Sequence, residues 1–165
     1  MSGAAGDGII LRFSAAALPE RDRVATLREV FGRLVLHLDI EPAPEGPLHF
    51  EMAARAFPDL TVSTLSFSAV RAQRTRELMA DGNDTCLFSA LVSPGNTTFQ
   101  RGHTLAPAEG SATLLSSAEP FTCATIGGIA RGINIGVPRK VLAASVPQLE
   151  DGFGREFRDC EPLRL

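Results

Sequence analysis

The sequence predicts a mainly β fold, a barrel or sandwich of short strands with a few flanking α-helices. Three observations carry that prediction. About nine short segments alternate apolar and polar residues, or run apolar, between Gly- and Pro-rich turns. Helical spacing occurs before these segments, once within them and once after them, so a doubly wound parallel sheet is disfavoured. The 165 residues suit one domain and can bury a core without a disulfide or metal staple.

Each element has its own signal. Residues 1–8 are small and polar and read as a loose tail. Ile9–Phe13 reads as a short edge strand. After Pro19, Val24, Leu27, Val30, Phe31 and Leu34 recur at three- and four-residue steps, giving a helix over Glu20–Phe31 that Gly32 ends. Leu34, Leu36, Leu38 and Ile40 then alternate with polar residues as a strand, and Pro42–Pro47 turns the chain. Leu48, Phe50 and Met52 mark the next strand, Pro58-Asp59 breaks it, and Leu60–Phe67 resumes. Ala72–Ala80 reads as a second helix, with Arg71, Arg74, Arg76 and Glu77 on its solvated side. It is closed by Asp81-Gly82-Asn83-Asp84.

The second half is richer in strands. Thr85–Val92 is strongly apolar and reads as central, and Ser93-Pro94-Gly95-Asn96 is a turn. Thr97–Arg101 and His103–Ala106 form a hairpin around Gly102, and Ala112–Leu115, Phe121–Ile126 and Ile129–Val137 are three more strands. Pro138 suits the first position of a closing helix whose apolar side is Val141, Leu142 and Val146, and Pro147 stops it. Gln148–Leu165 mixes acidic and basic residues with little periodicity.

Several function classes lose support. A net charge of −3 without a Lys/Arg run does not suit phosphate binding. The three cysteines, Cys86, Cys123 and Cys160, are odd in number and form no CxxC, which fits a reducing cytoplasm better than a disulfide framework. No stretch approaches the ~18 apolar residues of a membrane span. Trp and Tyr are absent, leaving ten Phe, which weakens stacking of sugars or bases. His37, His49 and His103 form no HxH or HxxxH pair, so no metal set and no cofactor is expected. There is no GxSxG elbow, and Cys86 and Cys123 read as inert strand residues, so no catalytic residue is assigned; Cys160 lies in the polar tail and is reactive at most by exposure. Gly127–Gly136 is glycine-rich, but glycine in strands more often marks a bulge or bend than a phosphate cradle. Asp81 and Asp84 read as turn residues.

One family unites these features. The segment Asp22-Arg23-Val24 through Arg28-Glu29-Val30-Phe31-Gly32-Arg33, then Leu38-Asp39-Ile40-Glu41-Pro42, resembles the opening of the AraC-binding-like cupin domain. That domain is the N-terminal half of many AraC/XylS-type bacterial transcription regulators. The resemblance continues through Arg74-Thr75-Arg76, Ala80-Asp81-Gly82, Asp84, Pro107–Leu115, Ser117–Phe121, Val137-Pro138-Arg139 and Leu142. Ser111 departs from it, standing where the family usually carries an acidic residue after glycine. The resemblance implies one cupin-like β-barrel (jelly roll) over residues 1–165 that holds a small-molecule effector or serves dimerisation. It implies a homodimer in the full-length regulator, a cytoplasmic location, and DNA contact only through a C-terminal helix-turn-helix domain for which this chain offers no candidate.

Because the family supplies no universal ligand residues, a pocket must be read from strand facing. Phe50, Met52, Phe88, Phe99, Phe121 and Ile133 are the candidate lining, with Arg131 or Asn134 as a polar group. Two rival readings stay open: a metal-dependent cupin oxygenase or isomerase, and a dimerisation module whose barrel is filled by its own side chains.

Overall fold

The computed structural model describes residues 10–29, 32, 37–42, 47–92, 95–125 and 127–158. Two antiparallel sheets dominate. The larger has seven strands in the order β1 (Ile10–Ser14), β3 (Phe50–Phe57), β4 (Leu60–Phe67), β11 (Ala130–Pro138), β6 (Thr85–Leu91), β9 (Ala112–Ser116) and β12 (Arg155–Phe157). The smaller has five: β2 (Asp39–Pro42), β5 (Val70–Arg74), β10 (Phe121–Thr125), β7 (Asn96–Gln100) and β8 (His103–Leu105). The chain is therefore mainly β, with the cupin-like double-sheet arrangement expected.

The first strand sits at a sheet edge, and β6 is an interior strand, flanked by β11 and β9. The β7–β8 turn is Arg101-Gly102, both with positive φ (53° and 78°), the geometry that matches strand twist in a two-residue hairpin. Arg101 holds this unusual conformation for a bulky residue through ion pairs to Glu119 and Glu150, the latter at 2.8 Å.

Three expectations need correction. The helix read over Ala72–Ala80 is instead β5 followed by a turn of 3₁₀ helix at Leu78–Asp81. Pairing of β5 with β2 on one side and β10 on the other outweighs local helical spacing. The strand read from Leu34 begins at Asp39; His37 has a φ of 53°, which breaks extended backbone, and residues 33–36 lie outside the described ones. The tail from Gln148 is ordered by packing rather than periodicity: α3 (Leu149–Gly152) buries Leu149, Phe153 follows it inward, and β12 adds to the sheet. Residues 159–165, with Cys160, lie outside the described residues.

The first helix, α1 (Glu20–Thr26), continues in wider turns through 27–29 and buries Leu27 completely. Leu27 joins Ala15, Ile40, Phe50, Met52 and Val70 in a core between the sheets. A second core lies outside, where α2 (Arg139–Ala143), α3 and Phe153 cover part of the larger sheet. There Cys86, Leu114, Leu149 and Phe153 pack with Phe88, Leu142 and Phe157. Arg101 and Arg139 lie over the Phe153 ring at 5.0 and 4.8 Å and both bond Glu150, clamping this layer to the barrel. At the turn before Ser111, the Glu156 carboxylate from β12 accepts from Ala108 N at 3.2 Å.

Candidate functional site

A cavity of about 280 Å³ lies between the sheets and is lined by both. Period-two alternation decides what enters it. From the larger sheet come Thr61, Ser63, Leu65 and Phe67 of β4, Gly132, Asn134 and Gly136 of β11, and Thr85, Leu87 and Ser89 of β6. From the smaller sheet come Val70, Ala72 and Arg74 of β5, and Phe121, Cys123 and Thr125 of β10. Ser63, Asn134 and Ser89 fall in one register row, a polar belt across three neighbouring strands.

The cavity has two polar ends. Arg74 lies opposite Phe121, and Thr125 is four residues further along β10, about 13 Å away at strand rise. Arg74 is almost fully buried, yet its charge is compensated. Its Nη1 and Nη2 donate to both Asp81 carboxylate oxygens at 3.0 and 2.7 Å, Nη1 also to His37 O at 2.9 Å, and Nε to Ser117 O at 3.0 Å. His37 Nδ1 lies 3.0 Å from Asp81 Oδ2. The hydrogen bond from Arg74, outweighing desolvation and helped by Asn83 N–H, holds the Asp81 carboxyl down to about 2. Asp81 therefore stays ionised and Arg74 neutralised.

The opposite end is built differently. Asn96 and Thr125 face each other in the β7–β10 register, and both line the cavity. Asn96 Oδ1 and Thr125 Oγ1 are buried and have no hydrogen-bond partner among the described residues. Between the ends, burial pushes the Cys123 thiol up to about 11, a contact with Thr98 Oγ1 at 3.5 Å opposing part of that shift. The cavity wall thus presents a neutral thiol.

Of the residues singled out from strand facing, Phe50, Phe121 and Asn134 line this cavity. Met52, Arg131 and Ile133 line a second, more open hollow with Arg12, Glu51 and Ser66. Phe88 is on the outer face, its ring 6.5 Å from that of Phe157. Phe99 is 48% exposed. The facing of β6 was misread because both its faces are covered, so apolar residues occur at both parities. On β11 the pattern is inverted: Ile133 and Ile135 point out and Gly132, Asn134 and Gly136 point in.

Sequence reasoning missed Arg74, Asp81, Asn96 and Thr125. Arg74 and Asp81 were visible only as parts of the Arg74-Thr75-Arg76 and Ala80-Asp81-Gly82 segments, since their partners are distant in sequence. Among the described residues, no three His, Cys, Asp or Glu side chains come together as a metal-ligand set. His49 Nε2 instead meets Ser66 Oγ at 2.8 Å. No described helix is long and apolar enough to cross a membrane.

Comparison with known proteins adds the relatives. The profile of the AraC-binding-like domain matches residues 27–163. The crystal structure of the AraC-like transcriptional activator CuxR is similar with a TM-score of 0.76 at 14% identity, over 90% of this chain and 54% of that one. The chain thus spans about half the length of that activator. Weaker likenesses include the Schizosaccharomyces pombe Cnp3 cupin domain (TM-score 0.46, 8% identity, 67% of this chain and 75% of that one). KdgF from Halomonas sp. is similar at a TM-score of 0.42 and 15% identity, over 61% of this chain and 86% of that one. No curated protein matches in sequence.

Proposed function

The chain belongs to the AraC-binding-like domain family, and from that premise we propose that it is the effector-sensing and dimerisation half of an AraC-type transcription regulator. The observation that carries this reading is the cavity between the sheets, with an apolar wall and polar groups at its two ends and in a belt. Its volume would hold roughly nine waters at the liquid's share per molecule, which sets the scale of a small effector. A barrel filled by its own side chains would leave no such space. The polar lining consists of hydroxyls, amides, a neutral thiol, His37 and the Arg74 guanidinium, whose charge Asp81 closes off from outside the lining, and this set suits binding better than bond making. DNA would be read by a C-terminal domain in the same polypeptide, and the regulator would act in the cytoplasm as a homodimer.

Sensing requires the effector to favour one arrangement of the two subunits. Moving a population from 1:99 to 99:1 takes about 5.5 kcal/mol of differential affinity. A thermal-shift screen of small organic molecules, read with sedimentation velocity, tests the proposal. The expected result is a hit that raises Tm and is lost in Ala72→Leu, which puts a larger side chain into the cavity. A dimer in sedimentation with no hit from a broad screen would overturn the sensing half. Stoichiometric iron, zinc or manganese in the purified protein would favour the enzyme reading instead.

A further inference from the structure

We infer that the Asn96–Thr125 end of the cavity is a subsite for an uncharged hydroxyl or primary amide, so that the effector is a neutral molecule with an apolar body and one such end. This rests on the sensing role proposed above and narrows its ligand. Thr125 is 7% exposed, Asn96 lies directly across the strand pair, and neither Asn96 Oδ1 nor Thr125 Oγ1 has a partner among the described residues. Buried polar atoms are nearly always paired in native proteins, because an unmade hydrogen bond leaves their desolvation uncompensated. Two such atoms, side by side in the same cavity, point to a partner that is not part of the chain.

The chemistry of the two groups selects that partner. The Asn96 amide oxygen only accepts, while the Thr125 hydroxyl both donates and accepts. A hydroxyl or a primary amide can donate to Asn96 Oδ1 and accept from Thr125 Oγ1 at once. If the Asn96 amide were turned over, a hydroxyl would still match it, accepting where it had donated. A carboxylate has no donor and would face the amide oxygen with negative charge.

Electrostatics excludes charge at this end more generally. Among the described residues, the charged or titratable groups lining the cavity are Arg74 and His37, both at the opposite end and both against Asp81, and the Cys123 thiol, which burial keeps neutral. Among the described residues, no Asp or Glu lines the cavity. An ammonium group near Thr125 would be buried without a counter-ion, and so would a carboxylate. The neighbouring wall, with Val70, Ala72, Phe50, Phe67 and Leu87, suits an alkyl or aromatic body.

A matched series with one six-carbon chain tests the subsite: hexanol, hexanamide, hexanoate and hexylamine, titrated calorimetrically into the full chain. Hexanol and hexanamide are expected to bind at least about tenfold more tightly than the two charged members, the penalty for charge without a counter-ion. Thr125→Val should weaken the neutral pair by about three- to tenfold, one hydrogen bond's worth. It should leave the Tm of the ligand-free protein unchanged or slightly raised, because the hydroxyl it removes has no partner there. Equal binding of hexanoate would overturn the subsite, and so would failure of all four members to bind. A drop of several degrees in the ligand-free Tm of Thr125→Val would overturn it too, since that hydroxyl would then be satisfied in the free protein. So would a crystal soaked in hexanol that shows only ordered water at Asn96 and Thr125. The broader screen keeps the two readings apart: hits confined to acids end the neutral-ligand inference and leave sensing intact, whereas no hit of any kind ends sensing.

Discussion

Both ends of the cavity hold buried polar side chains and use them in opposite ways. At one end a buried guanidinium makes four hydrogen bonds, two of them to one carboxylate, and ties three segments together: His37 before β2, Asp81 after β5 and Ser117 after β9. At the other end Asn96 Oδ1 and Thr125 Oγ1 face each other across a strand pair with no partner among the described residues. The charged end looks like the ligand site at first sight, because charge in a cavity draws attention. Satisfaction, rather than charge, separates the two. A completed network holds the fold, and an incomplete one waits for a partner.

The sharpest way to break this contrast is Arg74→Met. It removes the donor shared by the carbonyls of His37 and Ser117 and by Asp81, which keeps Asn83 N–H and His37, and we expect a loss of about 3 kcal/mol in urea unfolding. A loss below 1 kcal/mol, on the order of an ordinary surface pair, would mean that this end is not structural. Ala72→Leu, midway along the cavity, should cost about 1–3 kcal/mol if the site is tight and less if the space is open, while removing ligand-induced Tm shifts. A full ligand response in that variant would place binding elsewhere.

Acid titration sharpens the contrast further. The folded Asp81 carboxyl titrates near 2, below its ordinary value. The stability it contributes is therefore complete above about pH 4 and lost as pH falls through 2. Asp81→Asn should flatten that part of the stability curve, followed by circular dichroism. Glu156 is held down to about 2 mainly by Arg158, so Glu156→Gln should flatten the same window without changing the cavity. An unchanged acid profile in Asp81→Asn would contradict the ion pair. The smallest effect is expected at Phe99, which is 48% exposed on β7: Phe99→Ser should change stability by no more than about 0.5 kcal/mol and leave hexanol binding unaltered.

The sequence made the strands legible more readily than their facing. Leu60–Phe67 was read with the bounds it has, and the Gly102 hairpin and the interior position of β6 were also visible. Those signals are local, in turn residues and in apolar runs. Phe88 was placed on the wrong face because β6 packs on the cavity side and against Phe157 on the other, so neither parity is polar. Arg74 was read as a solvated helical residue because Arg ordinarily is one. Its burial depends on partners 7, 37 and 43 residues away, a juxtaposition created only by closing the barrel. Asn96 and Thr125 carried no signal at all, since a turn Asn and a strand Thr are what those positions suggest alone.

The inward stripe of β11 has a consequence for how the cavity of such a domain changes over time. Two of the three inward positions there, Gly132 and Gly136, contribute bare backbone to the wall. A methyl at 136 would come within 3.1 Å of Thr85 Cγ2, so even the smallest substitution is felt at the cavity wall. The size of molecule admitted is thus written partly in side chains that are missing. Adding carbon atoms there, one substitution at a time, would shrink the space between the sheets, while strand pairing, the Arg74 network and the covering helices are left as they were.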